Sequence, residues 1–547
     1  MPEVRRKPRP GLAWGFAAAL VVLSPSSAWA VQVGLQARVG WDGWVKYGTW
    51  NPVVVDVSAA EEFQGWLEVE VTQEFGTQRV QLRAPLQLPA GGRRRWQFAA
   101  WLSDARRPVR VRAVDPAGRV VGETEVGLSP ERAAASLVGY LGDEPPVPPR
   151  QAEGGGSRVV ARLSEEDLPH RPSAYASLDL LVLERLDPTR VNADQRDALE
   201  TWVLHGGRVV ASGPLDPEAF PWMRIGREAT AAVPATDLVS VRADAVQRLV
   251  PEPGRRPVLE RGRIVAVVGA HGLGQVARWA VPAARVPPTS PLWLLVLPRP
   301  QPQQGPPEPQ PRAKAPLGTA AAWLGAYALL WFLATSFADG RLSRWLVAAP
   351  VLLVAAAGIP AVADQVRQAA TVLDVRGGRV VVDGRGWARG WGFAVAPYRG
   401  PYTYTLPAAS AVWVSGQFEE ATVTFQPDRT VLRVWQEAGA RLRVSWERME
   451  RLDPAPTVRW EQEAVLVRDA GVRAEGLVVF RGRVSNLEPA GAELVGRRWA
   501  ALPASLEAVE ALRWVRADAD TIMEVRPVAA FPDPSSGGWR FIVGPAP

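Results

Sequence analysis

The sequence predicts a multidomain fold that is α/β in its middle and all-β on either side, with a two-helix transmembrane hairpin before the last β part. Three observations predict it. The chain has 547 residues, and at roughly 100–200 residues per domain that is too many for one hydrophobic core. Its hydropathy alternates strand by strand up to about residue 130, changes to strand, helix, strand over residues 135–298, and alternates again from residue 370. Two uncharged apolar runs lie between the last two parts.

The totals narrow the classes. Hydrophobic residues make up 47% and charged residues 22%, a balance that excludes global disorder. The net charge of +7 is carried by arginine, since Lys7, Lys46 and Lys314 are the only lysines. Arg93, Arg94 and Arg95 form one basic cluster, and Arg106, Arg107, Arg110 and Arg112 another. Neither lies beside an aromatic platform or a binding motif, so both are read as solvated strand ends and no nucleic-acid partner is expected. There is no cysteine, which excludes disulfides, a thiol nucleophile, thiolate metal ligands and a lipoprotein anchor.

The N-terminus reads as a secretory signal peptide over residues 1–30. Arg5, Arg6 and Lys7 precede the apolar "GLAWGFAAALVVL", and the small residues of "SPSSAWA" end at Ala30. Residues 31–130 then hold about seven short alternating segments, "NPVVVDV" and "GWLEVEVTQ" among them, which argue for an antiparallel sandwich of immunoglobulin-like type. The stretch "YGTWNPVVVDVSAAEEFQGWLEVEV" resembles the opening of immunoglobulin-like modules in exported bacterial proteins. Trp41, Trp44, Trp50 and Trp66 are read as core or edge cover, with a sugar-stacking surface as the alternative.

In residues 135–298 the buried strand "LDLLVL" is followed by a helix opening after Asn192. Leu199, Trp202 and Val203 share one of its faces, Gly206 stops it, and Arg208 starts a further strand. The run "AYASLDLLVLERLDPTRVNADQRDALETWVLHGGRVVASG" resembles the class I glutamine amidotransferase-like domains of membrane-anchored bacterial proteins. That resemblance implies a doubly wound α/β domain. Catalysis in such a domain needs a cysteine, which is absent, and Ser212 lacks the elbow geometry of a substitute nucleophile.

The three histidines are scattered. His205 is expected to cap the end of the helix, His170 to lie in a loop and His271 in a glycine turn. No metal-ligand spacing joins them, so no metal, cofactor or catalytic residue is assigned. Gly272, Gly274 and Ala277 satisfy a dinucleotide fingerprint, but "QVARWAV" is β-prone and runs into Pro282, so a hairpin turning through His271–Gly274 is the reading preferred.

A Pro/Gln-rich linker, residues 299–316, leads to apolar runs at 317–338 and 345–363. At about 1.5 Å per residue the longer run can span a bilayer core of roughly 30 Å. The export signal then sets both flanking parts outside, so a cell-membrane location with extracytoplasmic N- and C-terminal domains is expected. Residues 370–547 read as one or two β-sandwiches with turns at Gly377-Gly378 and Pro427-Asp428, and "FRGRVSNLEPAGAELVGRRWAALPASLEA" resembles modules found beside such hairpins. Trp387, Trp391, Phe393, Tyr398, Tyr402 and Tyr404 are read as cross-strand filling.

These features predict a non-enzymatic bacterial cell-envelope membrane protein acting as a scaffold or binding module, with the membrane and an envelope protein as its partners. A cell-wall polymer is the alternative partner, in a glycan-binding protein. A third reading is a hydrolase drawing on Asp179 and Asp187.

Overall fold

The computed structural model describes residues 33–297 and 374–452 apart from short loop stretches, together with four helical residues at 325, 326, 329 and 332 and strand segments between 457 and 543. The first part is all strand: β1 (Val33–Val39), β2 (Thr49–Ala59), β3 (Phe63–Gln73), β4 (Gln78–Leu88), β5 (Arg93–Leu102), β6 (Val109–Val114) and β7 (Val120–Val126). Burial in β3 alternates residue by residue, Leu67, Val69 and Val71 inward and Glu68, Glu70 and Thr72 half-covered. This is the period of two that a pleated strand imposes.

The middle part comprises β8 (Ser136–Leu141), β9 (Arg158–Arg162), β10 (Leu180–Leu183), α1 (Ala193–Leu204), β11 (Arg208–Ala211), β12 (Gly226–Pro234), β13 (Ala245–Pro251), β14 (Arg256–Glu260), β15 (Arg263–His271), β16 (Gly274–Trp279) and α2 (Pro291–Val296). Its main sheet runs β14-β15-β16-β11-β10-β8-β9. From β16 to β9 the neighbours are parallel, while β14, β15 and β16 are joined as antiparallel hairpins. α1 begins where Asn192 accepts the Gln195 N–H and the Gln195 side chain returns the bond, a reciprocal cap. Gly206 follows its end at a φ of 113°, which suits a residue without Cβ. Leu199, Trp202 and Val203 pack with Leu137, Leu181 and Val209 on one face of the sheet. On the other face Val138, Val182 and Val210 meet Leu249 of β13 and Trp293 of α2.

The doubly wound α/β expectation is corrected here. Such a fold carries helical crossovers over both faces of its sheet. The described parts of the β8–β9 and β9–β10 connections instead hold loops and 3₁₀ turns at Glu165–Asp167 and Pro172–Ser177. The described residues are mostly β, 55% strand against 12% helix, and the second face of the sheet is met by β13 and the short α2 rather than by helical crossovers. The resemblance to amidotransferase-like domains rested on one strand–helix–strand unit, and that unit alone does not make the fold.

The third part supplies β17 (Asp374–Val382), β18 (Arg385–Val395), β19 (Gly400–Pro407), β20 (Ala411–Gly416), β21 (Glu420–Phe425), β22 (Arg429–Gln436) and β23 (Arg441–Arg451). These strands do not form a separate sandwich. β20 lies beside β5, within a sheet ordered β1-β2-β5-β20-β23-β18-β17 before the later strands. β21 runs parallel to β4 from Glu420↔Arg79 to Thr424↔Arg83, within the facing sheet β19-β22-β21-β4-β3-β6-β7. One core joins them: Val55, Leu67, Leu82 and Phe98 from the first part pack with Val412, Val423, Leu432 and Leu442 from the third. The expected immunoglobulin-like N-terminal sandwich and separate C-terminal β-sandwich region are thus one composite sandwich. Strand alternation names the buried face of a strand but not its neighbour, which is why the sequence reading divided them.

Two further expectations change. Gly377 and Gly378 lie inside β17, paired with Gly390 and Arg389, and the turn falls instead at Asp383-Gly384, where both φ angles are positive, 47° and 75°. No helix among the described residues is long and apolar enough to cross a membrane. The expected transmembrane hairpin, and the cell-membrane location that rested on it, are corrected to that statement. The signal peptide at 1–30, the linker at 299–316 and the apolar runs at 317–338 and 345–363 lie outside the described residues, apart from the four helical positions named above.

Candidate functional site

The outer face of α1 presents Asp197, Glu200, Thr201 and Leu204, spaced three and four residues apart as helical neighbours are. Two elements close over it. The β15–β16 hairpin brings His271, whose Nε2 lies 3.3 Å from Glu200 Oε1. The β17–β18 turn brings Arg385, whose guanidinium donates to Glu200 Oε2 at 2.6 Å, Asp197 Oδ1 at 2.5 Å and Thr201 Oγ1 at 2.7 Å. Two residues further along β18, the Trp387 ring meets His205 edge-on, with ring centroids 5.9 Å apart. Trp222 lies flat against His271, 5.2 Å between centroids and 18° between planes.

Between these elements runs a two-lobed cleft. The inner lobe, about 640 Å³, is lined by Glu200, His271, Asp383, Arg385 and Arg451. The outer lobe, about 430 Å³, shares Glu200, Arg385 and Arg451 and adds Asp194, Arg196 and Trp222 near the start of α1. Burial pushes the Glu200 carboxyl up, but the His271 hydrogen bond and the Arg385 and Arg451 charges outweigh it, and its pKa falls below the ordinary value.

The hairpin's glycines explain how His271 reaches this position. A Cβ on Gly272 would stand 2.6 Å from the Leu204 carbonyl oxygen, and one on Gly274 would stand 2.0 Å from that of Val203 and 2.3 Å from that of Gly207. The pair therefore permits close approach to the end of α1, fastened by Leu273 N–H donating to Leu204 O and Gln275 N–H to Gly207 O. The dinucleotide fingerprint of Gly272, Gly274 and Ala277 is a packing device between a hairpin and a helix. β15 and β16 pair antiparallel through His271↔Gly274.

The remaining singled-out residues do not converge on the cleft. His205 closes α1, its Nδ1 2.8 Å from Thr201 O. The main-chain N–H of His170 donates to Gln97, and burial pushes its imidazole pKa down. Ser212 is buried at the end of β11, and its hydroxyl has no hydrogen-bond partner among the described residues. Asp179 precedes β10 and holds Lys46 at 2.7 Å and the Leu137 N–H at 2.8 Å. Asp187 follows β10 and closes a turn on Thr189. The strand between them keeps the two carboxylates at opposite ends. No group of three or more histidine and acidic side chains suited to a metal occurs among the described residues.

The aromatic and basic residues are also engaged. Trp41 and Trp50 are buried, Arg132 lies over Trp44 and Arg83 over Trp66, and Tyr402 stacks on Tyr404. Arg95 holds Asp56, while Arg110 and Arg112 belong to a ladder with Glu70 and Glu123 across the sandwich's outer face. Glu200, Arg385 and Arg451 escaped the sequence reading because nothing local marks them. Only the position of Arg385 directly after an Asp-Gly turn hinted that it sits at a projecting tip.

At the C-terminal end of the parallel strands stands a second polar pair. Tyr140 donates to Glu184 at 2.7 Å. Burial raises both pKa values, and for Glu184 the neighbouring Asp143 and Glu144 charges add to it while the Tyr140 bond opposes it. A Cβ on Gly142 would stand 2.3 Å from the Tyr140 hydroxyl, so the main chain there lies close against this half-buried pair.

Likeness to known proteins is confined to parts of the chain. No curated protein matches it. Two solved structures overlap it weakly: the cytoplasmic protein STM1381 from Salmonella typhimurium LT2, at 12% identity over 29% of this chain and 93% of that one, with a TM-score of 0.20, and the cytoplasmic protein STM3548 from Salmonella typhimurium, at 10% identity over 27% and 87%, with a TM-score of 0.19. Overlaps this slight carry no argument about fold or role. The family comparison brings in neither an amidotransferase nor an immunoglobulin-like domain, and that resemblance is withdrawn. Residues 32–129, the strands from β1 to β7, match a domain of unknown function, DUF8726.

Proposed function

We propose that this chain is a non-enzymatic scaffold or binding protein whose ligand enters the cleft between α1 and the β17–β18 turn. One observation carries the reading: the charged groups at the centre of the cleft are spent on each other. Glu200 faces His271 with one oxygen and accepts from Arg385 with the other, and Arg385 gives its remaining contacts to Asp197 and Thr201. A general base needs a lone pair free to reach a substrate proton, whereas this arrangement fastens two parts of the fold and leaves a walled recess. Recesses where separate cores meet are common places for ligands. The glycan-binding alternative loses support because its tryptophans are buried or covered.

The test is to incubate the purified full-length chain with a metabolite extract and follow free and retained compounds by mass spectrometry. Retention of unchanged compounds, lost in Arg385→Ala, is the expected result. Time-dependent conversion of a compound, abolished by His271→Asn, would refute the reading.

A further inference from the structure

We infer that the middle part is a lid on the composite sandwich: it turns about the margin where Trp41 and Val45 meet it, and Arg385 latches it shut over the cleft. The inference rests on the binding reading above and gives that site its means of opening. It follows from how differently the two margins of the joint are made. At one margin the chain itself passes from β7 into β8, and main-chain bonds tie the two bodies, Val45 N–H donating to Arg132 O at 3.0 Å and Ala134 N–H to Val45 O at 2.9 Å. Beside them Trp41, 1% exposed, enters the core of the middle part, where its Nε1 donates to Ser177 Oγ at 2.9 Å and its ring lies 5.6 Å from that of Tyr175. The other margin lies at β18, four strands from β2, or about 19 Å at the usual strand spacing. Among the described residues no main-chain hydrogen bond joins α1 to the third part there. The polar hold is one side chain, Arg385, on Asp197, Glu200 and Thr201, with the edge contact of Trp387 and His205 beside it.

Between the margins Ala174, a small residue, packs with Trp50, Ala99 and Ala411. A joint that is apolar and tied by main chain at one margin and ionic at the other opens at the ionic one. Among the described residues every ion pair across the joint has the same polarity. Arg38, Lys46 and Arg95 on the sandwich face Asp167, Asp179 and Glu166 on the middle part, as Arg385 faces Asp197 and Glu200. These opposed faces draw the lid back to one position, and dissolved salt weakens the pull. Both lobes of the cleft take their walls from both bodies, Glu200 from the middle part and Arg385 and Arg451 from the sandwich. A turn about the far margin therefore changes the width of the cleft.

The chain has no cysteine, so spin labels attach only where cysteines are introduced. One exposed pair, Asp194→Cys on α1 and Arg399→Cys between β18 and β19, reads the latch side, and a second, Glu131→Cys and Glu61→Cys, reads the pivot side. Dipolar distances in the full-length chain at about 50 mM salt should form one narrow band for each pair. Adding Arg385→Ala should give the first pair a second distance, longer by about 5 Å or more, as a turn of about 15° makes at such a lever arm. The second pair should not change. Raising the salt to about 0.5 M with Arg385 in place should populate the same longer distance, and Arg385→Lys should populate it less than Arg385→Ala does. Thermal unfolding checks that each variant is folded, and if Arg385→Ala is not, the salt arm decides. A single unchanged distance for the first pair in every folded arm, or an equal shift in both pairs, would overturn the inference. Metabolite retention that depends on Arg385 while the distance stays fixed would remove the lid and leave the binding reading standing. A moving lid on a chain that retains no compound would remove the binding reading instead.

Discussion

Glu200 and Glu184 are both half-buried carboxylates, and their surroundings drive them in opposite directions. Glu200 has a histidine and two arginines near it, and its pKa lies below 4.5. Its stabilising contribution is therefore present above the unfolded pKa and is lost as pH falls through the lower folded value. Glu184 is pushed up by its burial first, with the Asp143 and Glu144 charges adding to it, and its pKa lies above 4.5. Its contribution is present at low pH and is lost as pH rises through that raised value. Glu200→Gln should cost about 1 kcal/mol at pH 7, a charged hydrogen bond discounted for partial exposure, and the deficit should shrink below pH 4.5. Glu184→Gln should show the reverse trend, gaining on the native chain as pH rises. Thermal midpoints of both variants between pH 3 and pH 8 check the signs, and parallel curves would contradict the assignment.

Elements here are joined by close main-chain approach as much as by side-chain burial. The β15–β16 hairpin sits on α1 because two glycines let it, and Gly274 has carbonyl oxygens where a Cβ would go. Gly274→Ala should destabilise the fold by about 2 kcal/mol, in the range of overpacked sites. Asn192→Ala removes only the α1 cap and should cost about 1 kcal/mol. Denaturant midpoints at unchanged slope distinguish the two, and a Gly274→Ala cost no larger than the cap's would contradict the packing account. The sequence marks both positions: Asn192 stands before the helix as a cap should, and the glycine pair stands at a turn. What it does not mark is the surface the glycines meet, since the Val203 and Gly207 carbonyls come from an element dozens of residues earlier.

At the scale of the whole molecule, the first and third parts share a core, and contacts such as Gln81 to Glu420, 339 residues apart, hold the seam. Leu432→Ala in β22 empties a fully buried position and should cost about 2–5 kcal/mol. Hydrogen exchange followed by mass spectrometry should then show protection falling in β4 together with β21 and β22. Retained protection in β4 would mean that the first seven strands are stable without the third part. The cleft belongs to this scale as well. Glu200, His271 and Arg385 sit on three elements, and the composite sandwich is what brings the β17–β18 turn over α1.

By itself the sequence determined the local elements: the alternation of β3, the opening of α1 after Asn192 and its glycine stop, the buried strands β10 and β11, and a hairpin in place of a nucleotide fingerprint. It also excluded thiol chemistry outright. Only the tertiary structure decided that the two β parts merge, that the second face of the parallel sheet is met by β13 and the short α2 rather than by helical crossovers, and that a histidine, a glutamate and an arginine meet in one cleft. The reason is physical. Main-chain hydrogen bonds between strands are nearly indifferent to side-chain identity, so a strand's pattern fixes its face while the choice of neighbour is made by how whole cores close.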